Sequence, residues 1–163
     1  MESSATSRMD QEKQETLKAI EALVHGQSTL VLSTVNADGT PHAAPLFYLA
    51  GKELELYWFS DASSQHSANL ARDCNVAVAV YASTEHWKEI CGVQMRGTVR
   101  KITDSKIRRD IKRRYCDRFQ LGQIFRFALA RCSLYVLSPS WIRYLDNSKR
   151  FGYRSEISLP THV

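Results

Sequence analysis

The chain lacks any pair of cysteines at CxxC spacing: Cys74, Cys91, Cys116 and Cys132 stand singly, and none has a histidine at the usual zinc spacings. A structural zinc site draws its ligands from such close pairs, so the four read as reduced core or surface thiols. The five histidines, His25, His42, His66, His86 and His162, are scattered, and no two of them share i, i+4 spacing. A metal site would have to be assembled from distant segments, and none is expected. No apolar run approaches the roughly 18 residues of a membrane span. The start, MESSATSRMDQEKQE, has no apolar centre of the signal-peptide kind. A cytoplasmic location without a membrane partner is therefore expected. Neither a nucleophile triad nor a paired-carboxylate motif stands out.

What is present is a chain of 163 residues, 44% of them hydrophobic, which is the size and composition of one folded domain. Residues 1–9 are rich in Ser and short of apolar side chains, so they are expected to be disordered, with a single domain over 10–163. The net charge of +5 is unevenly placed, ten basic residues falling between Arg96 and Arg118. Such a patch attracts nucleic acid or other anions. It also fits one solvated side of an amphipathic helix whose apolar stripe is Ile107, Ile111 and Tyr115. No stacking aromatics interleave with these charges, so the solvated face is preferred and nucleic acid is not the expected partner.

Periodicity orders the rest. A helix from about Asp10 to His25 carries the stripe Leu17, Ile20, Leu23 and Val24 and ends at Gly26. From Thr29 the period becomes strand-like: TLVLSTV, a turn Asn36-Ala37-Asp38-Gly39, HAAPLFYL, a turn near Gly51-Lys52, then ELELYWF. This reads as a three-stranded antiparallel meander, with Leu54, Leu56 and Trp58 on one face of the third strand and Glu55, Tyr57 and Phe59 on the other. A short helix over 64–72 follows. NVAVAVYA is next, apolar on both faces, as for a strand lying between a core and a helix or a partner subunit. GVQMRGTVRKI is a long strand in which Gly97 marks a bulge or a close approach. Helices over 104–117 and 120–131 precede SLYVL, SWIRYL and FGYRSEI, with Pro139 between the first two strands. Mostly antiparallel strands with a few helices imply a mainly β small barrel with flanking helices.

Ser60, Ser63, Ser64, Gln65 and His66 fall where a strand gives way to a helix N-terminus. Free N–H groups, hydroxyls and an imidazole converging there suit an anion such as phosphate. The alternative is that Ser63 or Ser64 only caps the helix, with Gln65 and His66 on its solvated face.

Four segments, VLSTVNADGTPHAAPLFYL, YWFSDASSQHSANLARDCNVAVAV, GVQMRGTVRKI and LYVLSPSWIRYLDN, in this order, resemble the pyridoxamine 5'-phosphate oxidase-like FMN-binding split-barrel superfamily over about residues 12–154. The chain is most similar to a short, uncharacterised bacterial branch, because Gln65-His66 stands where the oxidases carry Arg-Lys. The resemblance implies a homodimeric, Greek-key split β-barrel with FMN at the subunit interface. Its phosphate would lie at the turn after the third strand and its ring along the second. Carried over by position, Phe59 and Ser60 match an aromatic-hydroxyl pair near the phosphate, and Ser64, Gln65 and His66 belong to the phosphate turn. Pro45, Leu46 and Phe47 border the flavin ring, and Tyr144 falls near an aromatic at the far side of the pocket. Ala44 and Leu49 stand where the oxidases have arginine and lysine on the second strand, and the oxidases' substrate-binding arginines are not apparent. The implied activity is an FMN-dependent oxidoreductase of unknown substrate that is not a true pyridoxamine phosphate oxidase. A deazaflavin is the other ring left open. The alternative is a non-catalytic flavin- or haem-binding protein, with His42, His66 or His86 as axial ligand to a haem.

Overall fold

In the computed structural model residues 2–160 are described, with side chains from Gln11 onward; His162 lies outside them. Helix α1 (Glu2–Gly26) begins well before Asp10, so helix continues through a stretch whose composition suggested disorder. Its Thr16, Ile20 and Val24, at i, i+4 and i+8, are fully buried. Strand β1 (Thr29–Val35) and β2 (Pro41–Phe47) form a hairpin. Gly39 supplies the positive φ of 85° at its turn, and Asp38 Oδ1 accepts from both the amide and the hydroxyl of Thr40.

Fully buried Tyr48, whose hydroxyl donates to the Val24 carbonyl, carries the chain on to β3 (Leu49–Ala50). A turn at Lys52–Leu54 leads to β4 (Leu56–Ser60). The short helix α2 (Gln65–Arg72) follows, then β5 (Asn75–Tyr81) and the long β6 (Cys91–Ile102). Two helices, α3 (Ser105–Arg118) and α4 (Gln123–Arg131), precede β7 (Ser133–Asp146) and β8 (Arg154–Ser158).

The strands make one antiparallel sheet of order β2-β1-β5-β6-β7-β4-β3, with β8 on β7. Contacts between β2 and β4 show that it curls on itself into a half-barrel flanked by helices, the mainly β architecture expected. The expected meander is formed in part: the second segment breaks at Tyr48, and its end, as β3, pairs with β4 across the expected turn (Leu49 opposite Tyr57), while the other edge of β4 takes β7 instead of β2 (Trp58 opposite Tyr135). The reason is burial: every residue of β4 is buried, so it takes an inner position with both faces covered. Leu56 and Trp58 join the barrel core with Leu32, Val78 and Met95, which α1 plugs with Ile20 and Val24. Tyr57 and Phe59 join a second cluster under α3 with Ile111, Tyr115 and Leu134.

SLYVL and SWIRYL are one continuous strand rather than two. Pro139, which has no N–H to give to a ladder, sits at a register shift opposite Arg96 and Gly97. A Cβ at Gly97 would lie 2.2 Å from the Ser138 carbonyl oxygen, so the close approach requires glycine. In β5 only one face is buried in the single chain, that of Val76, Val78 and Val80.

The charged helix is solvated on its outer side, but several of its arginines are structural. Arg108 donates to the carbonyls of Leu129, Ala130 and Cys132, and Arg118 to those of His25 and Gln27. Among the described residues no helix is long and apolar enough to cross a membrane.

Candidate functional site

Strand β4 delivers Ser60 to the end of the sheet, where Asp61 turns the chain. The Asp61 carboxylate accepts from the Ser63 amide (2.8 Å) and hydroxyl (2.7 Å), and the Ser63 hydroxyl chiefly holds that carboxyl below the usual range. The Ser64 amide closes the turn on the Asp61 carbonyl. Ser64 then caps α2 by accepting from the Ser67 amide. Two residues after the cap, buried His66 points its Nε2 back at it, 2.7 Å from Ser60 Oγ and 3.0 Å from Ser64 Oγ.

Capping and site-building thus coexist: Ser64 does cap the helix, yet His66 is not on a solvated face. Burial first, and the neighbouring His42 second, lower the pKa of His66. The two imidazoles stack 6.4 Å apart at 21°. With its pKa held below the ordinary value, His66 is mostly neutral at pH 7 in the ligand-free chain. The arrangement offers two hydroxyls, one neutral imidazole and the first-turn N–H groups of Gln65 and His66, which have no intrahelical acceptor. Gln65 itself is exposed, and its amide runs along the helix to Asn69 Oδ1 (3.0 Å).

Asn69 is the residue that sequence reasoning missed. It is 1% exposed, and its Nδ2 donates to Thr34 Oγ1 and Asn36 Oδ1, both at 2.9 Å. These bonds fasten α2, and with it the Ser60–His66 pair, to the β1–β2 hairpin. The available signal was an asparagine in mid-helix, where its propensity is poor and a tertiary role is the usual reason.

The other expected site residues are placed as follows. Phe59 lies on the opposite face of β4 from Ser60, its ring 5.2 Å from Tyr115 with the Arg108 guanidinium 5.5 Å above it. The aromatic-hydroxyl pair is therefore divided between two faces, because adjacent strand residues point to opposite sides. On β2, Pro45 and Phe47 are exposed and Leu46 is half-buried. The Phe47 ring packs on Phe119 at 5.0 Å, and its carbonyl accepts from Tyr115 Oη. Tyr144 lies well along β7 from Ser133, the partner of Ser60. It is buried in the barrel core with its hydroxyl donating to Asp146, so one chain does not bring it to Ser60. Ala44 is half-buried and Leu49 is buried in the cluster under α3, so apolar packing occupies both positions. His86 is exposed in the β5–β6 connection.

The donor set fits a phosphate in hydrogen bonding. In charge it is lean: the Arg131 cation acts on Asp61, and Arg108 is committed to three carbonyls. A separate groove of about 730 Å³ runs over the outer face of the sheet, lined by Ser33, Ala77, Arg96, Pro139 and Trp141 among others. Among the described residues no group of three His, Cys, Asp or Glu is placed to hold a metal.

The model of the pyridoxamine 5'-phosphate oxidase family matches residues 16–146. No curated protein matches the chain. Among solved structures, the conserved hypothetical protein Rv2991 of Mycobacterium tuberculosis is 18% identical at a TM-score of 0.72, over 90% of this chain and 89% of that one. A heme-binding protein of Mycobacterium smegmatis is 16% identical at 0.68, over 86% of this chain and 57% of that one. HutZ, the heme storage protein of Vibrio cholerae, is 19% identical at 0.63, over 75% and 88%. At these identities the likeness is one of fold.

Proposed function

Since the chain belongs to the pyridoxamine 5'-phosphate oxidase family, we propose that it is an FMN-binding oxidoreductase whose substrate is not pyridoxamine phosphate. The observation that carries this reading is the convergence of Ser60 Oγ and Ser64 Oγ on His66 Nε2 at the N-terminus of α2. A phosphate seated there would receive the two hydroxyls and the first-turn amides of Gln65 and His66, with the positive end of the helix dipole behind them. Asn69 holds the turn in place from below. Pro45, Leu46 and Phe47 would border the ring along β2, where Pro45 presents no N–H. When bound, the flavin supplies the hydride or electron transfer, and the protein's part is to bind and orient it. Ala44 and Leu49 offer no charge to a phosphorylated substrate, which is why a pyridoxamine phosphate oxidase is not proposed.

A homodimer belongs to the same proposal. The outer face of β1, β5 and β6 is open to solvent, with small residues at Ser33, Ala77 and Ala79. A second copy covering it would explain why β5 is apolar on both faces. Tyr144 would then have to reach the pocket from the partner.

The test is the visible absorbance of the purified protein, repeated after FMN is added and the excess removed. A flavin band that stays with the protein supports the reading. A protein that refuses FMN moves the second reading forward, in which the barrel holds haem without turnover. That reading is favoured by one feature: half-exposed His42 stacks beside His66, whose Nε2 is already engaged by two hydroxyls. His42 would be the axial ligand, and His42→Ala, but not His86→Ala, would abolish the haem absorbance.

A further inference from the structure

We propose that the α3–α4 hairpin is a docking surface for an anionic lipid bilayer. Helix α4 has no buried residue. Half-buried Leu129 marks its inner side, packed toward the cluster under α3. Ile124 and Phe127, spaced i, i+3 on the side away from it, are 84% and 77% exposed, and Phe125 is 62% exposed. Large side chains so exposed on one short helix form a patch that asks for an occupant.

Charge says which occupant. Residues 105–131 hold nine Lys and Arg against two Asp, while the rest of the chain holds thirteen against fifteen Asp and Glu. Arg108 and Arg118 are tied to carbonyls, and Arg113 to Asp110. Lys106, Arg109 and Lys112 make no ion pair among the described residues and lie on the neighbouring helix α3. Protruding aliphatic and aromatic side chains beside unpaired cations are what an interfacial segment needs. The apolar groups enter the acyl boundary while the cations meet acidic headgroups. A second copy pairing through the same face would bring like charges together. Nucleic acid would satisfy the cations and leave the isoleucine in water.

The experiment is co-sedimentation of the full chain at low salt with vesicles of phosphatidylcholine alone and of phosphatidylcholine mixed equally with phosphatidylglycerol. Binding to the mixed vesicles only is expected. Replacing Lys106, Arg109 and Lys112 together by Gln should weaken it about a hundredfold, and Ile124→Ser with Phe127→Ser at least about tenfold. Both variants should keep the wild-type melting temperature and FMN uptake, because these side chains are exposed and away from the Ser60–His66 pair. Four outcomes overturn the proposal. The first is wild type staying in the supernatant, and the second is the serine variant binding as wild type does, which would mean charge alone. The third is a fall of the serine variant from dimer to monomer by light scattering, which would assign the face to a second copy. The fourth is displacement of the vesicles by an oligonucleotide of equal phosphate content, which would assign it to nucleic acid.

Discussion

Replacing Ser60 by Ala separates the part this residue plays in the fold from the part proposed for it in binding. Its hydroxyl lies 2.7 Å from His66 Nε2, and Ser64 Oγ stays 3.0 Å from the same nitrogen when it is removed. The imidazole is therefore not orphaned, and the loss of stability should be that of an ordinary hydrogen bond, about 0.5–1.5 kcal/mol. In a domain of this size that lowers the melting temperature by about 1–6 °C. Binding is different, because a hydrogen bond to a charged group contributes about 1.5–3 kcal/mol, equivalent to about 10- to 150-fold in Kd. Titration of flavin fluorescence against the folded variant should show the FMN Kd rising by that factor. The double variant Ser60→Ala with His66→Ala should weaken binding further, since two members of one donor set are gone. The fold is checked by circular dichroism, and riboflavin, which lacks the phosphate, serves as the control. An FMN Kd within about twofold of wild type in a folded double variant would refute the assignment of the phosphate to this turn.

Three further outcomes follow from the same geometry. The pKa of His66 is lowered by burial and by His42, so the unfolded chain binds its proton more readily. The stability this contributes is present above the unfolded value of about 6.5 and is lost as pH falls through the folded one. Thermal melts of the ligand-free protein from pH 8 to 5 should therefore fall more steeply for wild type than for His66→Asn, and a shallower wild-type slope would reverse the argument. Gly97→Ala places a Cβ 2.2 Å from the Ser138 carbonyl oxygen. It should cost about 2–3 kcal/mol, read as a drop in melting temperature of about 4–12 °C, and an unchanged temperature would mean that the bulge relaxes freely. Asn69→Leu leaves the buried hydroxyl of Thr34 without its donor. It should cost about 1–3 kcal/mol and weaken FMN binding as well, whereas intact binding would show that α2 is held without it.

The residues that were legible in the sequence are those whose periodicity is local. The hairpin at Asn36–Gly39, the helices α2 to α4 and the bulge at Gly97 all follow from spacing or from a residue only one backbone shape accepts. The second partner of β4 was not legible. The hairpin of ELELYWF with the end of HAAPLFYL is present at Tyr57 opposite Leu49, but only the burial of all five residues of β4 reveals an inner strand whose other edge takes β7. The site divides in the same way. Ser60, Ser64 and His66 could be grouped from the sequence because strand end, cap and first turn are neighbours in it. That Phe59 faces away from Ser60 follows from the pleat, which carrying over an adjacent pair leaves out. Asn69 was missed because its partners, Thr34 and Asn36, lie more than thirty residues away. The long reach of Arg108 and Arg118 to backbone carbonyls was hidden within a run of like charges.

These commitments bear on what kind of phosphate site this is. Among the described residues Arg108 holds the end of α4 and the pKa of His66 is lowered, so Arg131, whose charge acts on Asp61, is the cation shown to influence the turn before α2. Without it, a phosphate there is held by neutral donors and by the helix dipole. The dipole contributes about 0.3–1 kcal/mol, up to about 2 in partly buried geometry, and each of the two hydroxyls bonded to the charged oxygens adds about 1.5. Together these favour FMN over riboflavin by about 3.3–5 kcal/mol, equivalent to about 250- to 5,000-fold in Kd. Parallel titrations of the two flavins at about 0.15 M salt measure that ratio directly, with the ring contacts on β2 cancelling. A ratio above about 10,000 would mean that a guanidinium or ammonium reaches the phosphate after all. Arg131→Gln tells the sources apart: a ratio that it lowers assigns the cation to Arg131, and a ratio that falls only on dilution to monomer assigns it to a second copy.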